Sequence, residues 1–163
     1  RIVMKMNSLV DPVLIEQLYE ASQAGVEIDL IVRGICCLRP GVEGMSENIR
    51  VRSIVGRYLE HSRIFHFAHG GKDGSPAYYI GSADLMPRNL DRRVEAMTPI
   101  FDSELQGRLQ EILDVSRDDD TLAWTLDGDG GWSKVDTEKG VNAHLRLQEL
   151  AFERARRRRP EPG

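Results

Sequence analysis

The sequence has little cysteine, no long apolar run and few aromatic residues. Its two cysteines are the neighbours Cys36 and Cys37, which cannot build a disulfide framework without a strained ring, so a reducing cytoplasm is the expected setting. No apolar run approaches the length of a membrane span, and no membrane-spanning helix is expected. With 40% hydrophobic and 29% charged residues over 163 positions, the chain is too apolar to be wholly disordered and is long enough to bury a core.

A basic excess is also lacking, because the formal net charge is -4 at pH 7, which argues against a generic nucleic-acid binder. The basic residues are unevenly distributed. Those in the middle of the chain are Arg50, Arg52, Arg57, Arg63, Lys72, Arg88, Arg92 and Arg93, accompanied by His61, His66 and His69. Acidic residues gather later in the chain. We therefore expect an anionic ligand in the middle segment and no specific nucleic-acid partner.

Hydrophobic periodicity predicts a strand, a helix and a second strand in the first 33 residues. Residues 2–6 are typical of a buried strand, and Asp11 followed by Pro12 is typical of a helix start. Gly25 ends this helix, and alternation over residues 26–33 predicts the second strand. Such a unit has a right-handed crossover and parallel strands, so the predicted fold class is α/β.

The remaining chain continues the α/β pattern. Strands are predicted at 49–54, 64–67, 77–82 and 94–98, a short helical turn at 55–60, a helix at 102–116, a hairpin from 122–126 and 132–135, and a last helix at 141–154. We interpret residues 1–140 as one domain and 141–163 as a C-terminal helix and basic tail that frays from Arg156. Because the chain begins at Arg1 inside an apolar segment, we interpret it as a piece of a longer protein.

His61 and Arg63 are the first candidates for chemistry. In an extended segment, residues two apart project from the same face, which places a titratable imidazole beside a permanent cation. An imidazole can attack phosphorus or protonate a leaving oxygen, and a guanidinium neutralises charge on phosphoryl oxygens. The pair therefore favours phosphate chemistry.

A second polar segment follows the strand predicted at 77–82. Pro87 is placed to open a helical turn whose free N–H groups would face an anion. Four residues of this segment are candidate phosphate ligands together with Arg63: Ser82, Arg88, Asn89 and Arg92. The alternative is a solvated ion-pair network of Arg88, Arg92 and Arg93 with Asp84, Asp91 and Glu95.

Arg33 stands at the carboxyl end of the second predicted strand, before a loop at 34–48. Open α/β sheets usually bind ligands at that edge, so we expect Arg33 to hold phosphate. An ordinary ion pair with Glu27 or Asp29 is the alternative.

These residues carry a resemblance to known families. The order H-x-R, then G-S-x-D, at 61–63 and 81–84, resembles the H-x-K and G-S-x-N elements of the phospholipase D superfamily. A longer similarity, at 5–11, 28–36, 51–64 and 79–95, is to the C-terminal region of bacterial polyphosphate kinase of the first type. It includes IDLIVRGIC, GRYLEHSRI and YIGSAD, and it extends from about Ile2 to the hairpin at Trp132.

The resemblance implies a phospholipase-D-like mixed sheet flanked by helices. It also implies reversible transfer of the terminal phosphate of ATP to polyphosphate, through a phosphohistidine on a domain outside this chain. His61 matches a histidine that acts as general acid or supports the transfer, and Arg33 matches an arginine that contacts the nucleotide; both are predicted to bind it. Mg²⁺ would arrive with ATP, its ligands lying outside this chain. The fragment is expected to be inactive alone and to work with the other domains in a homo-oligomer, in the cytoplasm, with peripheral attachment at the inner membrane left open.

Two other functions stay open. One is a phospholipase-D-type phosphodiesterase acting after two copies pair, although Ala68 replaces the aspartate expected after H-x-K. The other is a non-catalytic polyanion-binding or dimerisation module. Cys36 and Cys37 have the wrong spacing to complete a zinc site with His66 and His69, so no metal site is predicted and both histidines are expected at the surface or in loops. Residues 127–131 are predicted as a hairpin turn rather than a calcium loop.

Overall fold

The structure, a computed structural model, describes residues 1–157, and its strands form one eight-stranded sheet with helices on both faces. The elements in chain order are β1 Ile2–Met6, α1 Pro12–Gln23, β2 Ile28–Val32, β3 Ile49–Ile54, β4 Ile64–Phe67, β5 Ala77–Gly81, α2 Pro87–Asp91, β6 Met97–Ile100, α3 Ser103–Asp118, β7 Ala123–Leu126, β8 Trp132–Lys134 and α4 Ala143–Arg157. The strand order is β6-β5-β4-β1-β2-β3-β7-β8. Only β1 with β2 and β2 with β3 are parallel, so the sheet is mixed, as the resemblance implied.

The predicted strand-helix-strand unit at the start of the chain is confirmed. The Asp11 side chain accepts a hydrogen bond from the Leu14 N–H at 3.0 Å, and Pro12 opens α1 at a position where no N–H is needed. Gly25 adopts a φ of 85°, a left-handed conformation that lets the chain leave the helix and return to the sheet. The parallel register of Ile2 with Ile28 then places the carboxyl ends of β1 and β2 side by side.

The central strands are buried on both faces. Met4 and Leu30 pack on one face against Ile15 and Leu18 of α1. On the other face, Val3, Ile31 and Ile64 pack against Leu113 of α3. Burial of both faces explains why β1 and β2 are predominantly apolar, with Lys5 and Asp29 as the charged exceptions.

The predicted helical turn at 55–60 is wrong. This stretch bends without forming a helix, because the Glu60 side chain is drawn to Lys5 in the sheet and the Val55 N–H donates to the Leu122 carbonyl. Gly56 is also a poor helix former. We call residues 55–63, which join β3 to β4 and carry His61, the His61 loop.

The strand predicted at 94–98 begins instead at Met97. Residues 94–96 stay outside the sheet because Glu95 turns toward Ser82 and Asn89 and accepts hydrogen bonds from both. Pro99 is accommodated within β6 because this strand lies at the sheet edge, where a missing N–H is tolerated.

The predicted hairpin and last helix are both present. The Asp127 carboxylate stabilises the hairpin turn by accepting from the N–H groups of Asp129 at 3.0 Å and Gly131 at 2.7 Å. Helix α4 extends to Arg157, so the prediction that the chain frays from Arg156 is wrong for its first two residues; the rest of the predicted tail, 158–163, lies outside the described residues. Within residues 1–157, no helix has the length and apolar character needed to cross a membrane.

Asp119 joins the end of α3 to both β7 and α4. One carboxylate oxygen accepts from the N–H groups of Thr121, Leu122 and Ala123 at 2.7–3.1 Å, and the other accepts from the Ala143 N–H at 2.6 Å. The residue is 1% exposed. Its removal would leave buried donors without partners.

We therefore expect Asp119→Ala to lower the free energy of unfolding by at least about 3 kcal/mol, measured by urea denaturation. The neighbouring Asp118 is exposed and serves as the control. Asp118→Ala should change the same quantity by less than about 0.5 kcal/mol. Equal effects of the two substitutions would contradict the role assigned to Asp119.

Candidate functional site

The predicted site residues lie at one edge of the sheet, where β1 and β2 end. Arg33 follows β2, and its backbone N–H donates to the Met6 carbonyl at the end of β1. The pairing of Lys5 with Ile64, and of Ile64 with Ile80, brings the start of β4 and the end of β5 to the same edge. Arg63 and Ser82 therefore lie at the edge where Arg33 lies.

Asp84 ties this edge together. Its carboxylate accepts from the Asn7 N–H at 2.7 Å, from the Asn7 side chain at 3.2 Å and from the Ser8 N–H at 3.3 Å. It also accepts from Arg63 Nη2 at 3.0 Å and Nε at 3.3 Å. Burial raises the pKa of Asp84, but the hydrogen bonds from Arg63 and Asn7 outweigh it and bring the pKa below its ordinary value. The carboxylate is thus held ionised, and it fixes the orientation of Arg63.

His61 is exposed on the His61 loop, next to Arg63. Arg63 Nη1 donates to the His61 backbone carbonyl at 3.1 Å and lies 3.2 Å from the ring Nδ1. The same Nη1 atom lies 3.5 Å from the ring Nε2, so the guanidinium lies beside both ring nitrogens. The imidazole is therefore oriented by Arg63, which is itself oriented by Asp84.

Arg33 has a buried nitrogen without a hydrogen-bond partner, its Nη1 atom. The predicted alternative, an ion pair with Glu27 or Asp29, is wrong: no carboxylate pairs with Arg33 within residues 1–157, and Asp29 pairs with Arg1, Arg50 and Arg117. Buried donors in proteins are usually satisfied. An anion at this edge of the sheet would supply the missing acceptor.

The other candidate phosphate ligands differ in availability. Ser82 and Asn89 both donate to Glu95, and Asn89 is buried, so these two side chains build the turn after β5. Arg88 and Arg92 are exposed, and neither forms an ion pair within the described part of the chain. Of the ion-pair network considered as the alternative, the structure contains Arg93 with Glu95 at 3.9 Å. Helix α2, opened by Pro87, has only five residues.

Three residues that the sequence did not single out form a buried cluster beneath the His61 loop. Lys5 Nζ lies 2.6 Å from Glu60 Oε2, and His144 Nε2 lies 2.7 Å from Glu60 Oε1. Lys5 is 1% exposed. The one signal for this cluster in the sequence is a lysine within the otherwise apolar strand β1, because a buried charge requires a partner.

A cleft of about 410 Å³ opens beside His61. Lys5 and Glu60 contribute to its lining, together with Arg108 from α3 and Arg154 from α4. Both arginines lie near Glu111, at 3.6 Å and 2.8 Å, so the cleft has mixed charge. A larger cleft of about 770 Å³ lies at the other end of the parallel strands, near Asp29, away from every predicted site residue.

The expectation that His66 lies at the surface or in a loop is wrong. His66 is in β4, 7% exposed, and its ring stacks on that of Tyr78 with centroids 4.3 Å apart. Burial lowers the pKa of His66, which favours the neutral imidazole. His69, in contrast, is exposed in the turn before β5, where its Nδ1 contacts the Gly74 carbonyl at 3.1 Å.

The carboxylates near the site do not fit a magnesium centre. Within residues 1–157, no group of three or more histidine, cysteine, aspartate or glutamate side chains is placed to hold a metal ion. Asp84, Glu60 and Glu95 are each occupied by protein donors. These carboxylates are therefore not free to hold a metal ion.

Comparisons with known proteins agree on one family. The family model described as Polyphosphate kinase C-terminal domain 2 matches residues 1–148. Polyphosphate kinase 1 of Chlorobaculum tepidum is 60% identical over 135 residues, covering 83% of this chain and 19% of that protein. The polyphosphate kinase of Synechocystis sp. is 62% identical over 130 residues, covering 80% of this chain and 17% of that protein. The chain thus spans about a fifth of the length of these relatives.

Solved structures give the same result for the fold. Polyphosphate kinase from Porphyromonas gingivalis has a TM-score of 0.87 and 42% identity, over 94% of this chain and 23% of that one. Nuc from Salmonella typhimurium, a phospholipase D family member, has a TM-score of 0.55 and 14% identity, over 77% of this chain and 81% of that one. The second similarity shows the fold alone. The predicted phospholipase-D-like α/β fold is confirmed.

The lowered pKa of Asp84 makes its contribution to stability pH-dependent. A carboxylate whose pKa is lower in the folded chain stabilises the fold above its unfolded-state pKa, near 3.8, and loses that contribution as pH falls through the folded-state pKa. We expect Asp84→Asn to lower the free energy of unfolding by about 2 kcal/mol at pH 7. The difference from wild type should shrink below pH 3.8.

Chemical denaturation from pH 7 downwards measures this difference, with Asp91→Asn as the control at an exposed position of the same segment. A difference for Asp84→Asn that stays constant to the lowest pH would contradict the assignment.

Proposed function

The chain belongs to the polyphosphate kinase C-terminal domain 2 family, and from this membership we propose that it forms part of the site of a polyphosphate kinase. The proposed reaction is reversible transfer of the terminal phosphate of ATP to inorganic polyphosphate. The observation that supports it best is the gathering of Arg33, Arg63 and His61 at one edge of the sheet. Cations beside an imidazole suit a reaction in which both substrates are polyphosphate anions.

Arg33 is proposed to hold the phosphates of the nucleotide. Its Nη1 atom is buried and lacks an acceptor, so a phosphate oxygen would satisfy a donor that the protein leaves unpaired. A guanidinium offers a forked pair of donors that matches two phosphate oxygens. The nucleotide would then lie at the carboxyl edge, where parallel strands usually present their ligands.

His61 is proposed to donate a proton or a hydrogen bond as the phosphoryl group moves. Arg63 lies beside both ring nitrogens, and an imidazole N–H can donate to a phosphoryl or leaving oxygen. The resemblance implies that the phosphoryl group passes to a histidine on a domain outside this chain: the bond from phosphorus to the ADP oxygen breaks as a bond from phosphorus to nitrogen forms. His61 would stabilise the charge that develops on oxygen during that step.

The path of the polyphosphate chain is proposed to follow the exposed arginines. Arg88 and Arg92 have no ion-pair partner within residues 1–157 and can contact a polyanion without breaking a protein contact. Arg63 is held by Asp84. Its positive charge would attract the polyanion, and it would orient His61 as well as contact phosphate directly. Ser82 and Asn89 would have to exchange their bonds to Glu95 to bind phosphate.

The remaining domains of the enzyme are proposed to supply the rest of the site. Mg²⁺ is proposed to come with ATP and to be held by groups outside this chain. We also propose that the enzyme is a homo-oligomer in the cytoplasm. A chain that contributes only part of a site should be inactive alone.

In the full-length enzyme, His61→Ala should lower kcat for polyphosphate synthesis by about 100-fold or more, because one proton-transfer group contributes about 10²–10⁴ to the rate. The control is His69→Ala, which removes an exposed histidine from the turn before β5. Unchanged kcat in the His61 variant would refute its role.

Substitution of Arg33 should instead weaken nucleotide binding. We expect Arg33→Ala to raise the Kd for ATP by about tenfold to 100-fold, as loss of a charge-assisted hydrogen bond predicts. Arg50→Ala is the matched control, since Arg50 is an exposed arginine on the neighbouring strand that pairs with Asp29 at the other end of the sheet. Titration calorimetry on the full-length enzyme gives both constants, and equal Kd values for wild type and Arg33→Ala would count against the nucleotide site.

Assays of the full-length enzyme also distinguish the two other functions, a phosphodiesterase and a non-catalytic polyanion-binding module. A phosphodiesterase would cleave phosphodiesters without ATP. A polyanion-binding module would bind polyphosphate with an affinity that collapses in salt and would show no preference for adenine nucleotides.

A further inference from the structure

The His61 loop is held by side chains more than by its backbone. The hydrogen bonds that fix its backbone to the rest of the domain include Val55 N–H to the Leu122 carbonyl at 3.2 Å and Tyr58 N–H to His144 Nδ1 at 3.3 Å. Residues 55–63 contain no helix and no strand. The position of His61 therefore depends on what its neighbours in the loop bind.

Glu60, the residue before His61, has both carboxylate oxygens engaged. Lys5 Nζ lies 2.6 Å from Oε2, and His144 Nε2 lies 2.7 Å from Oε1. Lys5 comes from the central strand β1 and His144 from the first turn of α4, so the two partners are rigid elements on either side of the loop. Because Glu60 is held by both partners, the backbone next to it, including His61, has little freedom to move.

The contacts of His144 define its tautomer. Nδ1 accepts from the Tyr58 backbone N–H, so in the neutral ring the proton lies on Nε2 and is donated to Glu60. The ring is 6% exposed and packs against Gly56, where an added Cβ would lie 2.8 Å from Nδ1. One imidazole thus contacts Gly56, Tyr58 and Glu60, three points of the same loop.

We propose that His144 is a positioning residue of the site: through its Nε2–H bond to Glu60, it holds the His61 loop so that His61 faces the transferring phosphoryl group. This inference rests on the proposed function for its catalytic meaning. His144 does not line the cleft beside His61, so it acts on the reaction through Glu60 rather than by contact with a substrate in that cleft.

Two isosteric substitutions divide the contacts of His144. The amide of His144→Gln reaches the position of Nε2 and keeps a donor for Glu60, whereas the amide of His144→Asn reaches the position of Nδ1 and keeps only the contact to Tyr58. Arg146→Gln is the control, because Arg146 lies on the same helix and pairs at the surface with Glu149 and Glu153.

In the full-length enzyme, we expect His144→Asn to lower kcat for polyphosphate synthesis by about tenfold to 100-fold with KM for ATP within about twofold, as misplacement of a reacting group predicts. His144→Gln should retain kcat within about threefold, and the control should match wild type. Rates are expressed per folded enzyme, so a loss of stability alone would leave kcat unchanged. Equal kcat in the Asn and Gln variants would overturn the proposal.

A second measurement does not depend on activity. Amide hydrogen exchange of residues 55–63 should be about tenfold faster in His144→Asn than in His144→Gln or Arg146→Gln, because Glu60 loses its hydrogen bond to α4. Exchange that is the same in all three variants would overturn the positioning role even if the enzyme is active. If wild-type enzyme makes no polyphosphate but exchange follows the expected order, the proposed function fails and the link from His144 to the His61 loop stands.

Discussion

The carboxylate of Asp84 is the group on which the assembly of the site depends. It lies just after β5, yet it binds the backbone at the end of β1 and the side chain of Arg63 just before β4. Three strands that are otherwise joined by ladder hydrogen bonds are therefore fixed at one edge. A buried carboxylate that lacks some of its partners carries a large desolvation penalty. The contacts of Asp84 at this edge are therefore expected to form together. Arg63, fixed by Asp84, in turn holds His61 in place through its hydrogen bond to the His61 carbonyl.

The sequence predicts those elements closely whose position is determined by residues only a few places away in the chain. Strand β1, helix α1 and strands β3 and β4 follow from apolar patterning and from Asp11 and Pro12, whose effects reach only a few residues along the chain. The two misplaced stretches, 55–60 and 94–96, have paths set by distant partners: Glu60 reaches Lys5, and Glu95 reaches Ser82 and Asn89. Propensity contains no information about such partners, so these stretches could not be predicted from it.

The same distinction separates the site residues. Arg33, His61 and Arg63 could be predicted as candidates because a strand end, a motif spacing and a family resemblance all indicate them, and the structure places all three at one edge of the sheet. His144 lies in a charged helix with no spacing that connects it to Glu60, and only the packing of α4 on the His61 loop reveals the contact. His66 was misplaced for the opposite reason: its type favours the surface, whereas its pairing between β1 and β5 buries it.

The cluster of Lys5, Glu60 and His144 joins the first strand of the domain to its last helix. On the ribosome, β1 emerges at the start of synthesis of this domain and α4 emerges at the end, so the buried ammonium and the loop carboxylate can pair long before the imidazole arrives. The nascent domain can therefore complete its sheet while the His61 loop is still tethered on one side only. Until α4 docks, Glu60 has one of its two partners, and the His61 loop lacks its contacts to His144.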